Sequence, residues 1–164
     1  MKRPRVRLSS RIRLAAVLAC LALLSSARPA AAASELPPNL RLPGLRGGDL
    51  TARDLAEGAH VLVVWASWSP RCRDIVERLQ GLDERWGRRA HVASIDFQEE
   101  RGAVEEFLRG KSLAVPVYLD RDGAFSKSLE VTTLPGLVVV RDGKVRFQGR
   151  LPADVDSLLE EHLR

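Results

Sequence analysis

The run "HVLVVW" at residues 60–65 constrains this chain more than any other stretch. It is rich in Val and shows no alternation of polar and apolar positions, so a strand made from it has no face to offer water. Such a strand belongs in the middle of a sheet with both faces covered. Directly behind it come "ASWSPRC" and then Ile75, Val76, Leu79, Leu82 and Trp86 at helical spacing, with Gly87 as a stop. A buried strand that turns within a few residues into an amphipathic helix predicts an α/β domain with its first helix starting near Pro70.

The remaining pattern completes the class. "HVASIDF" at 91–97 reads as a second strand. A helix is predicted over 101–109, with Val104, Phe107 and Leu108 inward and Gly110 at its end. "VPVYLD" at 115–120 reads as an extended piece, and 124–129 as a short helix. "LVVV" at 137–140 and "KVRFQG" at 144–149 are separated by Arg141, Asp142 and Gly143, and Asp-Gly is a strong hairpin signal. Val145 and Phe147 alternate with Lys144, Arg146 and Gln148, as in a strand wet on one side. A last helix buries Val155, Leu158, Leu159 and Leu163. Upstream, Pro43, Gly47 and Gly48 mark turns flanked by short strands, and 51–55 reads as a one-turn helix. Strand–helix alternation predicts a parallel pair and the hairpin adds antiparallel strands, giving a mixed sheet with helices on both faces.

The net charge of +5 points first to nucleic acid, and its distribution removes that reading. Lys2, Arg3, Arg5, Arg7, Arg11, Arg13 and Arg28 supply seven of the 26 basic residues, and no acidic residue precedes Glu35. Beyond residue 33 the chain holds 19 basic against 21 acidic residues, a net of −2. The basic region, the apolar run "LAAVLACLALL" at 14–24 and the small residues "AAA" at 31–33 have the layout of a secretory signal peptide. The expected organisation is therefore a signal peptide over 1–33, a linker over 34–39 and one domain over 40–164. The expected location is a bacterial periplasm or another exported site. The signal peptide would be the only membrane contact, with an uncleaved anchor as the alternative to cleavage.

Two cysteines occur, Cys20 and Cys72. Cys20 lies in the apolar run and leaves with the signal, or, in the alternative, carries a lipid. Cys72 is then the only thiol, and one thiol makes no intrachain disulfide in an oxidising compartment. The three histidines, His60, His91 and His162, match no zinc spacing, so neither a metal nor another cofactor is expected.

A thiol at a strand-to-helix junction has its thiolate favoured by the free N–H groups of the helix start. Here the residues carry a family resemblance. "VVWASWSPRC" at 63–72 resembles the active-site segment of exported thioredoxin-like proteins of the TlpA, ResA and DsbE type, in which W-A-x-W-C-x-x-C is usual. "VTTLPGLVVVRDGKV" at 131–145 is similar to their cis-proline segment, "ASIDFQEERGAVEEFL" to their second strand and helix, and "LRLPGLRGGDLTARDL" to their N-terminal hairpin. The resemblance implies a thioredoxin fold with an N-terminal β-hairpin extension. It implies a cis peptide before Pro135, a substrate-binding face made by Trp68, Pro70, Arg71, Leu134 and Pro135, and an active-site carboxylate at Glu99.

The chain departs from that pattern at Ser69, which stands where the attacking cysteine belongs, while Cys72 matches the resolving one. Serine suits a helix start: its oxygen is expected to accept the N–H of Arg71 or Cys72, with Pro70 at the first helical position. Gly136 stands where Thr is usual, and a looser contact beside Pro135 is expected. Three readings follow. Cys72 acts as a monothiol toward exported proteins or small thiols, in a redox-impaired and monomeric relative of thiol–disulfide oxidoreductases. Alternatively, the groove beside Pro135 binds peptide without covalent chemistry. The third is a peroxidase, since in peroxiredoxins the attacking cysteine also follows a Thr or Ser by three residues, although Trp65 occupies the place of their Pro.

Overall fold

The computed structural model describes residues 35–164. The expected signal peptide over 1–33, with Cys20, and Ser34 of the expected linker lie outside the described residues.

Five strands form one sheet: β3 (Ala59–Trp65), β4 (His91–Phe97), β5 (Val117–Asp120), β6 (Gly136–Arg141) and β7 (Lys144–Arg150), in the order β5-β4-β3-β6-β7. β3 takes the central position because every one of its seven residues is buried. It pairs parallel to β4 and antiparallel to β6; β5 continues the parallel side and β7 the antiparallel side. The β6–β7 turn uses Asp142 and Gly143, both at positive φ (50° and 73°), as a tight two-residue hairpin requires. This is a thioredoxin-like α/β fold with a mixed sheet.

The alternation of β3 divides the core. Val61, Val63 and Trp65 face one layer with α1 (Ile75–Trp86), α2 (Arg101–Leu108) and α4 (Val155–His162). Leu62 and Val64 face the other, which holds α3 (Ala124–Ser128) and the N-terminal hairpin of β1 (Arg41–Pro43) and β2 (Asp49–Thr51). That hairpin docks on the β5 edge, where the Leu45 N–H donates to the Val117 carbonyl at 2.8 Å. Residues 52–55 are turns and not the predicted helix. Asp54 accepts both the N–H and the hydroxyl of Thr51, at 2.8 and 2.6 Å, and this local side-chain pairing takes the place of helical bonds.

Candidate functional site: a groove above a buried thiol

β3 stops at Trp65, and Ala66, Ser67 and Trp68 lead to Ser69. The Ser69 N–H returns to the Ala66 carbonyl at 3.2 Å, closing a tight turn. Ser69 is extended (φ −79°, ψ 120°) and Pro70 follows at the first helical position, as expected. What starts there is a single 3₁₀ turn, Pro70–Cys72, and the α-helix begins only at Ile75 behind Asp74. The capping expectation for Ser69 is not met: its hydroxyl makes no cap bond, and the Cys72 N–H is taken by the Ser69 backbone carbonyl at 2.9 Å. A 3₁₀ turn closes i to i+3 through main chain alone, so the donor that a capping hydroxyl would serve is already satisfied.

The structure separates the two residues of the motif from solvent to different effect. Cys72 is a free thiol, 1% exposed, packed among Trp65, Ile75 and the rest of that core layer. Ser69 is also buried as a residue, yet it contributes to the wall of an open groove. Trp68 projects beside it at 60% exposure, the one large apolar side chain so exposed among the described residues.

The groove encloses about 660 Å³. Trp68, Phe97, Val131 and Leu134 supply its apolar walls, with Pro70 and Arg71 on the turn side and Thr132 and Thr133 opposite. The Leu134–Pro135 peptide bond is cis, and Pro135 itself is buried below the groove with its carbonyl engaged by the Leu151 N–H at 3.0 Å. Among the described residues none hydrogen-bonds to the backbone of Thr132, Thr133 or Leu134. Backbone groups left unpaired beside an apolar groove are a ready edge for an added strand. The looser contact expected from Gly136 is absent. Val131 fills the space, its Cγ1 only 2.4 Å from where a Cβ on Gly136 would stand.

The end of β4, which gives the groove Phe97, also carries a carboxyl pair. Glu99 follows β4 and holds the Ser67 loop with both oxygens, accepting the Ser67 N–H and hydroxyl at 2.5 Å each. Asp96, the register partner of Trp65 on the neighbouring parallel strand, is fully buried, with Glu99 as its charged neighbour. Burial pushes its carboxyl up to about 9, and the Glu99 side chain adds to the rise, first through a hydrogen bond to Asp96 and then through its charge. Asp96 therefore carries its proton at neutral pH. Sequence reasoning missed Asp96, Ser67, Phe97 and the 131–133 wall. The signal for Asp96 was present: it stands in phase with Val92 on a strand apolar on both sides. At the other end of β3, the rings of His60 and His91 stack at 5.1 Å, two histidines far apart in sequence that fall in register.

Comparisons with known proteins agree with this geometry. Residues 34–148 match the model of the AhpC/TSA family. The thiol-disulfide oxidoreductase ResA of Bacillus thuringiensis is 26% identical over 129 residues, covering 77% of this chain and 74% of that protein. A solved structure described as a thiol:disulfide interchange protein DsbE of Chlorobium tepidum superposes with a TM-score of 0.66 at 24% identity, covering 79% of this chain and 94% of the other. A secreted disulfide oxidoreductase of Mycobacterium tuberculosis, homologous to the DsbE of Escherichia coli, superposes with a TM-score of 0.59 at 22% identity, covering 70% and 85%. At these identities the two structures speak for the fold. No helix among the described residues is long and apolar enough to cross a membrane.

Proposed function

This chain belongs to the AhpC/TSA family, as a thioredoxin-fold relative of the ResA and DsbE thiol–disulfide oxidoreductases, and from that premise we propose that it binds rather than turns over. In this reading it is an exported protein whose Ser69 replaces the attacking cysteine of a C-x-x-C site. It holds extended segments of other exported proteins in the groove between Trp68 and Leu134. The observation that carries the reading is one of exposure: the only thiol of the domain, Cys72, is 1% exposed, while Trp68, directly before Ser69, is 60% exposed. A serine hydroxyl does not ionise near neutral pH, and Glu99, the carboxylate of the site, is committed to Ser67 with both oxygens. Nothing in that arrangement activates Ser69. The basic, apolar and small-residue succession of residues 1–33 supports export, as does the secreted relative.

The test is binding of an unfolded, cysteine-blocked polypeptide carrying a fluorescent label, followed by the anisotropy of the label. Saturable binding that Trp68→Ala weakens and Cys72→Ser retains is expected. Capture that needs a polypeptide with its disulfide intact, the Cys72 thiolate attacking one sulfur and the other leaving as a thiolate, and that vanishes with Cys72→Ser would return the function to the monothiol. The spacing of Ser69 and Cys72 favours a second reading, peroxide chemistry. There the Cys72 thiolate attacks one peroxide oxygen, the O–O bond breaks, water or an alcohol leaves, and a sulfenic acid remains on Cys72. The burial of Cys72 weighs against it, and the expected result is no peroxide consumption above that of Cys72→Ser.

A further inference from the structure

Resting on the groove reading, we infer that Arg71 makes this site selective for extended segments in which a carboxylate adjoins a bulky apolar side chain. Of the residues that line the groove Arg71 alone is charged, and among the described residues it pairs with no carboxylate. Glu130 precedes Val131 in the chain, yet it does not line the groove. The site therefore presents an apolar slot with one uncompensated guanidinium at its turn side.

Geometry decides what such a slot accepts. A segment pairing with the open backbone of Thr132, Thr133 and Leu134 is extended, so its side chains alternate. One of them must lie among Trp68, Phe97, Val131 and Leu134, where a bulky apolar group fills the space and excludes water. Arg71 borders that volume, and the donor fork of a guanidinium matches a carboxylate with two parallel hydrogen bonds. An amide offers one acceptor and no charge there, and an ammonium is repelled. The ligand class is thus an acidic–apolar peptide segment without any requirement for cysteine.

Three blocked, cysteine-free hexapeptides test this, built of Val and Thr around a central Phe that is followed by Glu, Gln or Lys. Binding is read from Trp68 fluorescence. The expected order is Glu over Gln over Lys, about fivefold between steps, corresponding to a partly screened ion pair. The Glu advantage should shrink as salt rises from about 50 mM to about 500 mM. Arg71→Glu should invert the order, placing the Lys peptide first, and Arg71→Gln should flatten it. Equal affinity of all three peptides for the wild type would overturn the selectivity and leave the groove reading intact. Binding of none of them would overturn both. A wild type that prefers the Lys peptide would overturn the assignment to Arg71.

Discussion

Asp96 puts a carboxyl in the core, fully buried and beside Glu99. Its value in the folded chain, about 9, lies above the ordinary 3.8 that the unfolded chain restores. Folding then takes up a proton between those limits. The stability that the protonated form allows is fully present below about pH 4 and is lost as pH rises toward 9, by about 1.4 kcal/mol per unit at the steepest. Wild type should thus show a midpoint of urea unfolding that falls steadily from pH 5 to pH 9. Asp96→Asn keeps the shape and removes the titration, so its midpoint should be nearly level over that range and higher at pH 8. A wild-type profile as level as that of Asp96→Asn would show that the carboxyl is solvated. Ser69 was legible as the residue that breaks a motif and Cys72 as the one that keeps it. Their exposure was not, because burial depends on how the turn after β3 sits against α1, and the letters S-P-R-C permit either a 3₁₀ or an α-helical start.

At the scale of elements, the loop before β6 and the strand itself are fitted to each other through Gly136. A side chain there would meet Val131 Cγ1 at 2.4 Å and the Thr133 carbonyl at 3.1 Å, so Val131 takes the volume that the usual threonine would fill. Gly136→Thr should destabilise the fold by about 1–3 kcal/mol through overpacking. It should also weaken peptide binding, since the displaced Val131 is part of the groove wall. Val131→Ala should recover much of the stability when combined with Gly136→Thr, and strictly additive losses in that cycle would disprove the fit. The element pattern itself was largely legible. The unalternating run of β3, the Asp-Gly hairpin and the helical spacing from Ile75 to Trp86 each reflect one physical demand that local sequence expresses directly. The turn at 52–55 and the late start of α1 were not, because the Thr51–Asp54 side-chain pairing and the main-chain closure of the 3₁₀ turn at Cys72 use hydrogen bonds that apolar periodicity does not register.

The site exists only at the scale of the whole molecule. It joins the turn after β3, the end of β4 and the loop before β6, and the pairing of β3 with both β4 and β6 holds those three segments together. No local stretch announces that meeting. It was read in advance only because particular segments, above all 63–72 and 131–145, resemble those of a known family, which is why Trp68 and Leu134 were foreseen and Phe97 and Val131 were not. The same framework makes the missing sulfur testable. Positions 69 and 72 are the ends of one 3₁₀ turn, closed by the 2.9 Å bond from the Cys72 N–H to the Ser69 carbonyl. Residues so related stand about 5–6 Å apart at Cα, within the range a disulfide spans. Ser69→Cys should therefore form an intramolecular disulfide on oxidation. Once reduced, it should attack a protein disulfide through residue 69, with Cys72 resolving the mixed disulfide, so that the substrate leaves reduced and the pair is left oxidised. With a dithiol reductant to recycle it, the variant should reduce insulin with multiple turnovers, while wild type stays at the rate of the reductant alone. Turnover by wild type would refute the loss of dithiol exchange. An inert Ser69→Cys that forms its disulfide would show that the rest of the groove has specialised away from disulfide substrates, which is the direction in which an exposed Trp68 and an unpaired Arg71 already point.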